Sequence, residues 1–170
     1  MLFRRKPGST TPSAALSRLP VHWILANRLA VGPMPSSEGH WQQLDDLGFR
    51  SRFSCCYNDE QLGQPTPPEH WGSFGVSLPD HRRQEPLRQE RLALAIHEAM
   101  AAMESQGPLF LHCLAGRERS PLVAIGVTAR FRNLDVYGAL DWVRKCHPAA
   151  APLFDQLEQL ERLLMTKSPG

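Results

Sequence analysis

The chain has little of several things that would narrow its function at once. Only four of its 170 residues are cysteine, too few for the disulfide framework of a small secreted domain, so reduced thiols and a cytoplasmic setting are expected. The formal net charge is only +2, too small to point to nucleic acid or a membrane surface as a partner. No apolar run approaches the roughly 20 residues of a membrane-spanning helix. Behind Arg4, Arg5 and Lys6 there is no long apolar stretch, so the N-terminus does not read as a secretory signal. No internal repeat is visible. What remains is ordinary for a soluble globular protein: 42% hydrophobic and 21% charged residues, enough for one sizeable core. The Pro-, Gly-, Ser- and Thr-rich start is expected to form a disordered tail over residues 1–18, followed by a single domain over 19–166.

Along that domain, strand-like and helix-like patterns alternate before a helical finish. His22 to Gly32 reads as one or two short strands with a turn at Asn27. Ser36 or Ser37 with Glu38 predicts a capped helix that presents Leu44 and Leu47 and stops at Gly48. Phe49 to Tyr57 and Gly72 to Leu78 read as strands. Leu87 to Gln106 carries Leu92, Ile96, Ala99 and Met103 at helical spacing. Leu109 to Cys113 is the most buried-looking strand, and helices are predicted over Pro121–Phe131, Val136–Cys146 and Pro152–Met165. The pattern predicts an α/β fold, a central mostly parallel sheet flanked by helices. In such sheets ligands sit beyond the carboxyl ends of the strands, where Cys113 falls.

The informative stretch is Leu109-Phe110-Leu111-His112-Cys113-Leu114-Ala115-Gly116-Arg117-Glu118-Arg119-Ser120. A cysteine followed six residues later by arginine is weak evidence alone. Of the four cysteines only Cys113 has it; Cys55, Cys56 and Cys146 are followed at that spacing by Gln61, Leu62 and Pro152. With His112 before it, Gly116 inside it, Ser120 after it, and a strand leading into a helix, the pattern becomes specific. A free thiol is mostly protonated at neutral pH, and a helix N-terminus with converging backbone N–H groups favours the nucleophilic thiolate. The same amides, from Leu114, Ala115, Gly116, Arg117, Glu118 and Arg119, can bind phosphate oxygens. Gly116 permits a tight turn with no side chain over the phosphate. The Arg119 guanidinium offers a planar fork for two phosphoryl oxygens that lysine lacks.

These residues resemble the His-Cys-x5-Arg-Ser/Thr signature of the cysteine-dependent protein tyrosine phosphatase superfamily, and the short length resembles its dual-specificity branch. The likeness runs from about Trp23 to Leu164, with its specific part confined to the loop and one aspartate. It implies a phosphoric monoester hydrolase that works through a phosphocysteine, with Cys113 as nucleophile and Asp80, on a loop after a strand, as proton donor. Asp59 and Glu60 are the alternative acids. Ser120 is expected to hydrogen-bond the departing sulfur, and His112 to brace the loop by bonding its backbone. No metal and no cofactor are expected, and a zinc site from His112-Cys113 with Cys146-His147 is disfavoured, because neighbours on a strand face opposite ways. The implied substrate is a phosphorylated protein, or a small phosphorylated molecule such as a phosphoinositide, acted on by a monomer. The chief alternative is a non-catalytic phosphate-binding module of the same fold.

One position departs from the pattern. Where the family commonly has glycine before the arginine, this chain has Glu118, expected to point to solvent or pair with Arg117. Arg117, and Arg82 and Arg83 behind Asp80, are candidates to attract an anionic substrate. Cys55 and Cys56 are expected mainly to pack in the core, with a protective disulfide to Cys113 as the alternative.

Overall fold

Five strands form one sheet in the order β1-β2-β5-β3-β4 in a computed structural model that describes residues 17–166. Most of the tail expected over 1–18 lies outside the described residues. At residue 17 the chain is already tied down: the Ser17 carbonyl accepts from His40 Nε2 at 2.8 Å, and the Leu19 N–H donates to Gln43 Oε1 at 2.9 Å.

β1 (His22–Leu25) turns back through Asn27, whose φ is 57°, into antiparallel β2 (Leu29–Pro33). The remaining pairings are parallel: β2 with β5 (Leu109–Cys113), β5 with β3 (Ser51–Ser54), and β3 with β4 (Gly72–Gly75). The expectation of a mostly parallel sheet holds. β5 lies in the centre, and all five of its residues are buried, as its unbroken apolar run requires when both faces are covered.

The two faces carry different cores. On one, α1 (Glu38–Asp46) packs Trp41 and Leu44 against Phe49, Trp71 and Phe110. Ser37 caps this helix by accepting the His40 N–H at 3.2 Å. Leu44 is buried as predicted, but Leu47 is 41% exposed, because the helix ends at Asp46 and the following turn carries Leu47 outward. On the other face lie α3 (Gln89–Gln106), α4 (Arg119–Arg132), α5 (Val136–Cys146) and α6 (Phe154–Met165). The predicted stripe Leu92, Ile96, Ala99 and Met103 is buried there. The strand expected from Phe49 to Tyr57 is shorter, and a single helical turn, α2 (Asn58–Gln61), follows it. Four residues give no helical periodicity to read.

α4 is the helix that β5 feeds, and its residues from Arg119 through Ala129 are all buried. A helix apolar on every side is a core helix. Its first turn therefore sits where packing, not solvent, decides its position.

Candidate active site

Between β5 and α4 the chain makes the loop 113–119. Its peptides are turned from outside. The Met34 N–H donates to the Leu114 carbonyl at 3.1 Å, His147 Nε2 to the Gly116 carbonyl at 2.7 Å, and the Ala151 N–H to the Arg117 carbonyl at 2.6 Å. A peptide is planar with its C=O and N–H opposed. Pulling those three carbonyls outward therefore turns the N–H groups of Ala115, Arg117 and Glu118 toward the hollow. Convergent amides of this kind make an anion site. Gly116 adopts φ 69°, and a Cβ there would lie 2.5 Å from the Gly32 carbonyl carbon and 2.6 Å from the Pro33 nitrogen. Only glycine fits, on both grounds.

Cys113 is 2% exposed, and Ser120 Oγ donates to its Sγ at 3.3 Å. Cys113, Leu114, Ala115, Arg117, Glu118, Arg119, Asp80, His81 and Arg82 line one cavity of about 470 Å³, together with Ala151 and Leu153. The structure thus brings Cys113, Arg119 and Asp80 together, with Ser120 behind the sulfur.

His112 is buried beside the loop. Its Nδ1 is buried without a hydrogen-bond partner and its Nε2 lies 3.5 Å from Arg52 Nη1. The Cys113 backbone lies within reach of the ring and favours its charged form, as the expected brace to the loop would. Burial and the neighbouring Arg52 push the imidazole down to about 3, so it is neutral and takes no part as a base near neutral pH.

Arg119 has a partner that the sequence did not pair with it. Its Nη1 and Nη2 each lie 2.8 Å from the two carboxylate oxygens of Glu60, on α2, and Nη1 also donates to the Leu78 carbonyl at 3.2 Å. Burial works against this guanidinium's charge, but the Glu60 bonds and the nearby Cys113 more than reverse that and raise its pKa. The fork-to-fork geometry fixes the guanidinium plane. Its Nε is buried and has no partner, a donor left over for an oxyanion.

Asp80 is 8% exposed. Its carboxylate accepts from the Arg82 side chain and from the Arg82 N–H at 3.1 Å, and lies 3.4 Å from Arg119 Nη2. Burial would raise its pKa, but the Arg82 bonds and the two guanidinium charges prevail and hold it below the usual carboxylate value. Glu60, an alternative acid on the sequence, is lowered in the same way, with Arg119 overcoming burial. Asp59, the other, is exposed and bonded to Arg83. Of the three, Asp80 alone lines the cavity. Arg82 lines the cavity and pairs with Asp80 and Glu60, whereas Arg83 pairs with Asp59 and stacks on Tyr57 at 3.8 Å. Arg117 is exposed at the cavity rim.

Glu118 neither faces solvent nor pairs with Arg117. Its two oxygens take the His81 N–H at 3.0 Å, His81 Nδ1 at 2.6 Å and Gln156 Nε2 at 2.9 Å. The donors come from residues 37 and 38 positions away, beyond the reach of local spacing.

Cys55 and Cys56 are free and buried and belong to the main core. Burial pushes the Cys56 thiol up to about 11 and raises the Cys55 thiol well above its ordinary value.

Known structures share the fold that places this hollow at the end of a central parallel strand. The mouse putative dual specificity phosphatase complexed with zinc tungstate superposes with a TM-score of 0.71 over 93% of this chain and 94% of that one. The fold is that of the dual-specificity phosphatases. Human DUSP28 matches with a TM-score of 0.70, covering 88% of this chain and 97% of its own. PTPMT1 in complex with PI(5)P gives 0.74, with 86% and 95% covered. Identities are 22%, 22% and 16%, so the likeness is one of backbone. No protein-family model matches the sequence, and no curated protein is similar to it at a significant level. Among the described residues no helix is long and apolar enough to cross a membrane.

Proposed function

We propose that the chain is a cysteine-dependent phosphatase that hydrolyses phosphoric monoesters through a phosphocysteine. The observation that carries this reading is the convergence of Cys113, Arg119 and Asp80 on one cavity beside inward-turned amides, with Arg119 Nε left unpartnered. The Cys113 thiolate attacks phosphorus as the ester P–O bond breaks, and Asp80 gives its proton to the departing oxygen. Water then attacks phosphorus, Asp80 takes the water's proton, and the sulfur leaves with the Ser120 hydroxyl donating to it. Arg119 and the loop amides hold the equatorial oxygens throughout, which is where charge gathers.

The guanidinium partners of Asp80 favour its ionised form, and its role as an acid needs a proton. A phosphate dianion bound beside it supplies the remedy, because added like charge raises a carboxyl pKa. The substrate also competes for Arg119, one of the groups that hold Asp80 down.

Turnover of p-nitrophenyl phosphate by the native chain, lost in Cys113→Ser, is the expected result. No turnover by a native chain that still binds inorganic phosphate would instead make the protein a binding module of the same fold. A cavity walled by Leu114, Ala151 and Leu153 and only partly enclosed fits phosphotyrosine together with phosphoserine and phosphothreonine peptides. Exposed Arg117 at the rim favours a second class, small polyanionic esters such as phosphoinositides, and PTPMT1 has been crystallised with PI(5)P. Phosphopeptides and phosphoinositides compared at one ionic strength separate these classes.

A further inference from the structure

The loop that carries Asp80 is moored on two sides. Toward α2, Arg82 reaches Glu60 at 3.4 Å, Arg83 reaches Asp59 at 2.7 Å, and Tyr57 hydrogen-bonds Glu85. Toward the phosphate loop there is Glu118. Its side chain is 12% exposed, and three donors converge on it. Two come from His81, the residue after Asp80, and one from Gln156 on α6. Gln156 is itself fixed, since its Oε1 accepts the Leu153 N–H at 2.8 Å. An acceptor-only group with two oxygens is what such a cluster demands. A glycine at this position would leave the His81 N–H without this acceptor.

We propose that Glu118 is a positioning residue for the proton donor: by gripping the peptide that follows Asp80, it holds the carboxyl over the leaving group while its own charge is absorbed by three donors. The proposal rests on the phosphatase reading and deepens it. The carboxylate stands next to Arg119 in sequence and lines the phosphate cavity. Left free, it would repel a dianion, and bonded sideways it joins the two catalytic loops. A shift of the acid loop away from the nucleophile must first break these bonds, so acid placement and phosphate-loop geometry are coupled through this one side chain.

The test separates loss of acid placement from general damage. Full-length native chain, Glu118→Ala, Glu118→Gln, His81→Ala and Asp80→Asn are assayed for kcat/KM on phenyl phosphate, a poor leaving group, and 2,4-dinitrophenyl phosphate, which needs no acid. Inhibition by inorganic phosphate is measured alongside. Glu118→Ala is expected to lose about tenfold or more on phenyl phosphate and less than about threefold on the dinitrophenyl ester, with phosphate inhibition equal or tighter because a negative charge has gone. Glu118→Gln, which keeps an oxygen for the His81 N–H, and His81→Ala, which keeps that N–H, are expected to fall between native and Glu118→Ala. Equal losses on both esters, or weakened phosphate inhibition, would mean that Glu118 merely shapes the phosphate loop and would overturn the proposal, as would no loss on either. If Asp80→Asn itself shows no added dependence on leaving group, it is the assignment of the acid that fails, a result distinct from failure of the tether.

Discussion

The two walls of the cleft are built by different forces. The wall that carries Cys113 is a backbone structure wedged between a fully buried strand and a fully buried first helical turn, with three carbonyls pulled outward by neighbouring elements. The wall that carries Asp80 is a loop without strand or helix, held by side-chain charges, several of them exposed: Arg82 52% and Asp59 66%. Packing places the thiol, and charge places the carboxyl. The first kind of wall should fail all at once and resist salt, whereas the second should loosen gradually and answer to pH and ionic strength.

Damage to the packed wall should give the largest effects. Cys113→Ser is expected to lower kcat by at least about a thousandfold, with the unfolding midpoint near native, measured by aryl phosphate turnover and urea titration. Gly116→Ala forces a Cβ onto the Gly32–Pro33 backbone in a left-handed conformation. It should cost about 1–3 kcal/mol of stability and abolish phosphate protection against unfolding. A variant as stable as native would show that the loop relaxes where we describe it as fixed.

Intermediate effects should come from Glu60→Gln, which touches both walls. Arg119 is 2% and Glu60 10% exposed at this pair, so losing one partner should cost about 1–3 kcal/mol and lower kcat/KM for every substrate alike. Glu60 and Asp80 both have carboxyl pKa values depressed by folding. The unfolded chain thus takes up protons first, and the stability from these groups is present above pH about 4 and drains away as pH falls through the folded values. Glu60→Gln should flatten that acid limb in a urea series run from neutral pH downward. An unchanged limb would place the acid sensitivity elsewhere.

Arg82→Ala should act more finely. Without those hydrogen bonds the Asp80 carboxyl rises toward its ordinary value, and the alkaline limb of the kcat profile should move to higher pH. Movement to lower pH, or none, would remove Arg82 as the group that sets it. Smallest of all, Asp59→Ala breaks an exposed pair with Arg83 and should leave the melting midpoint unchanged within replicate error.

The same contrast explains what the sequence disclosed. The phosphate loop was legible because its parts are contiguous: a strand that ends in Cys113, a glycine for a positive φ, an arginine on the next helical turn. The sheet, its mostly parallel order and the buried stripe of α3 followed from periodicity. The other wall was legible only as Asp80 itself. Its partners are long-range side-chain pairs, Glu60 with Arg119 across 59 positions and Glu118 with His81 across 37. Spacing rules see neither, and a four-residue helical turn such as α2 has no periodicity to expose it. Leu47 was misplaced for a simpler reason. A helical spacing was extended one residue past the helix end.

The outward pull on residues 114, 116 and 117 has a practical side for anyone who would borrow this site. Copying residues 112–120 into another α/β scaffold carries across the thiol, the guanidinium and the glycine, but leaves behind Met34, His147 and Ala151, which orient the peptides from afar. A transplant lacking donors at those three places would carry the signature without the anion hollow.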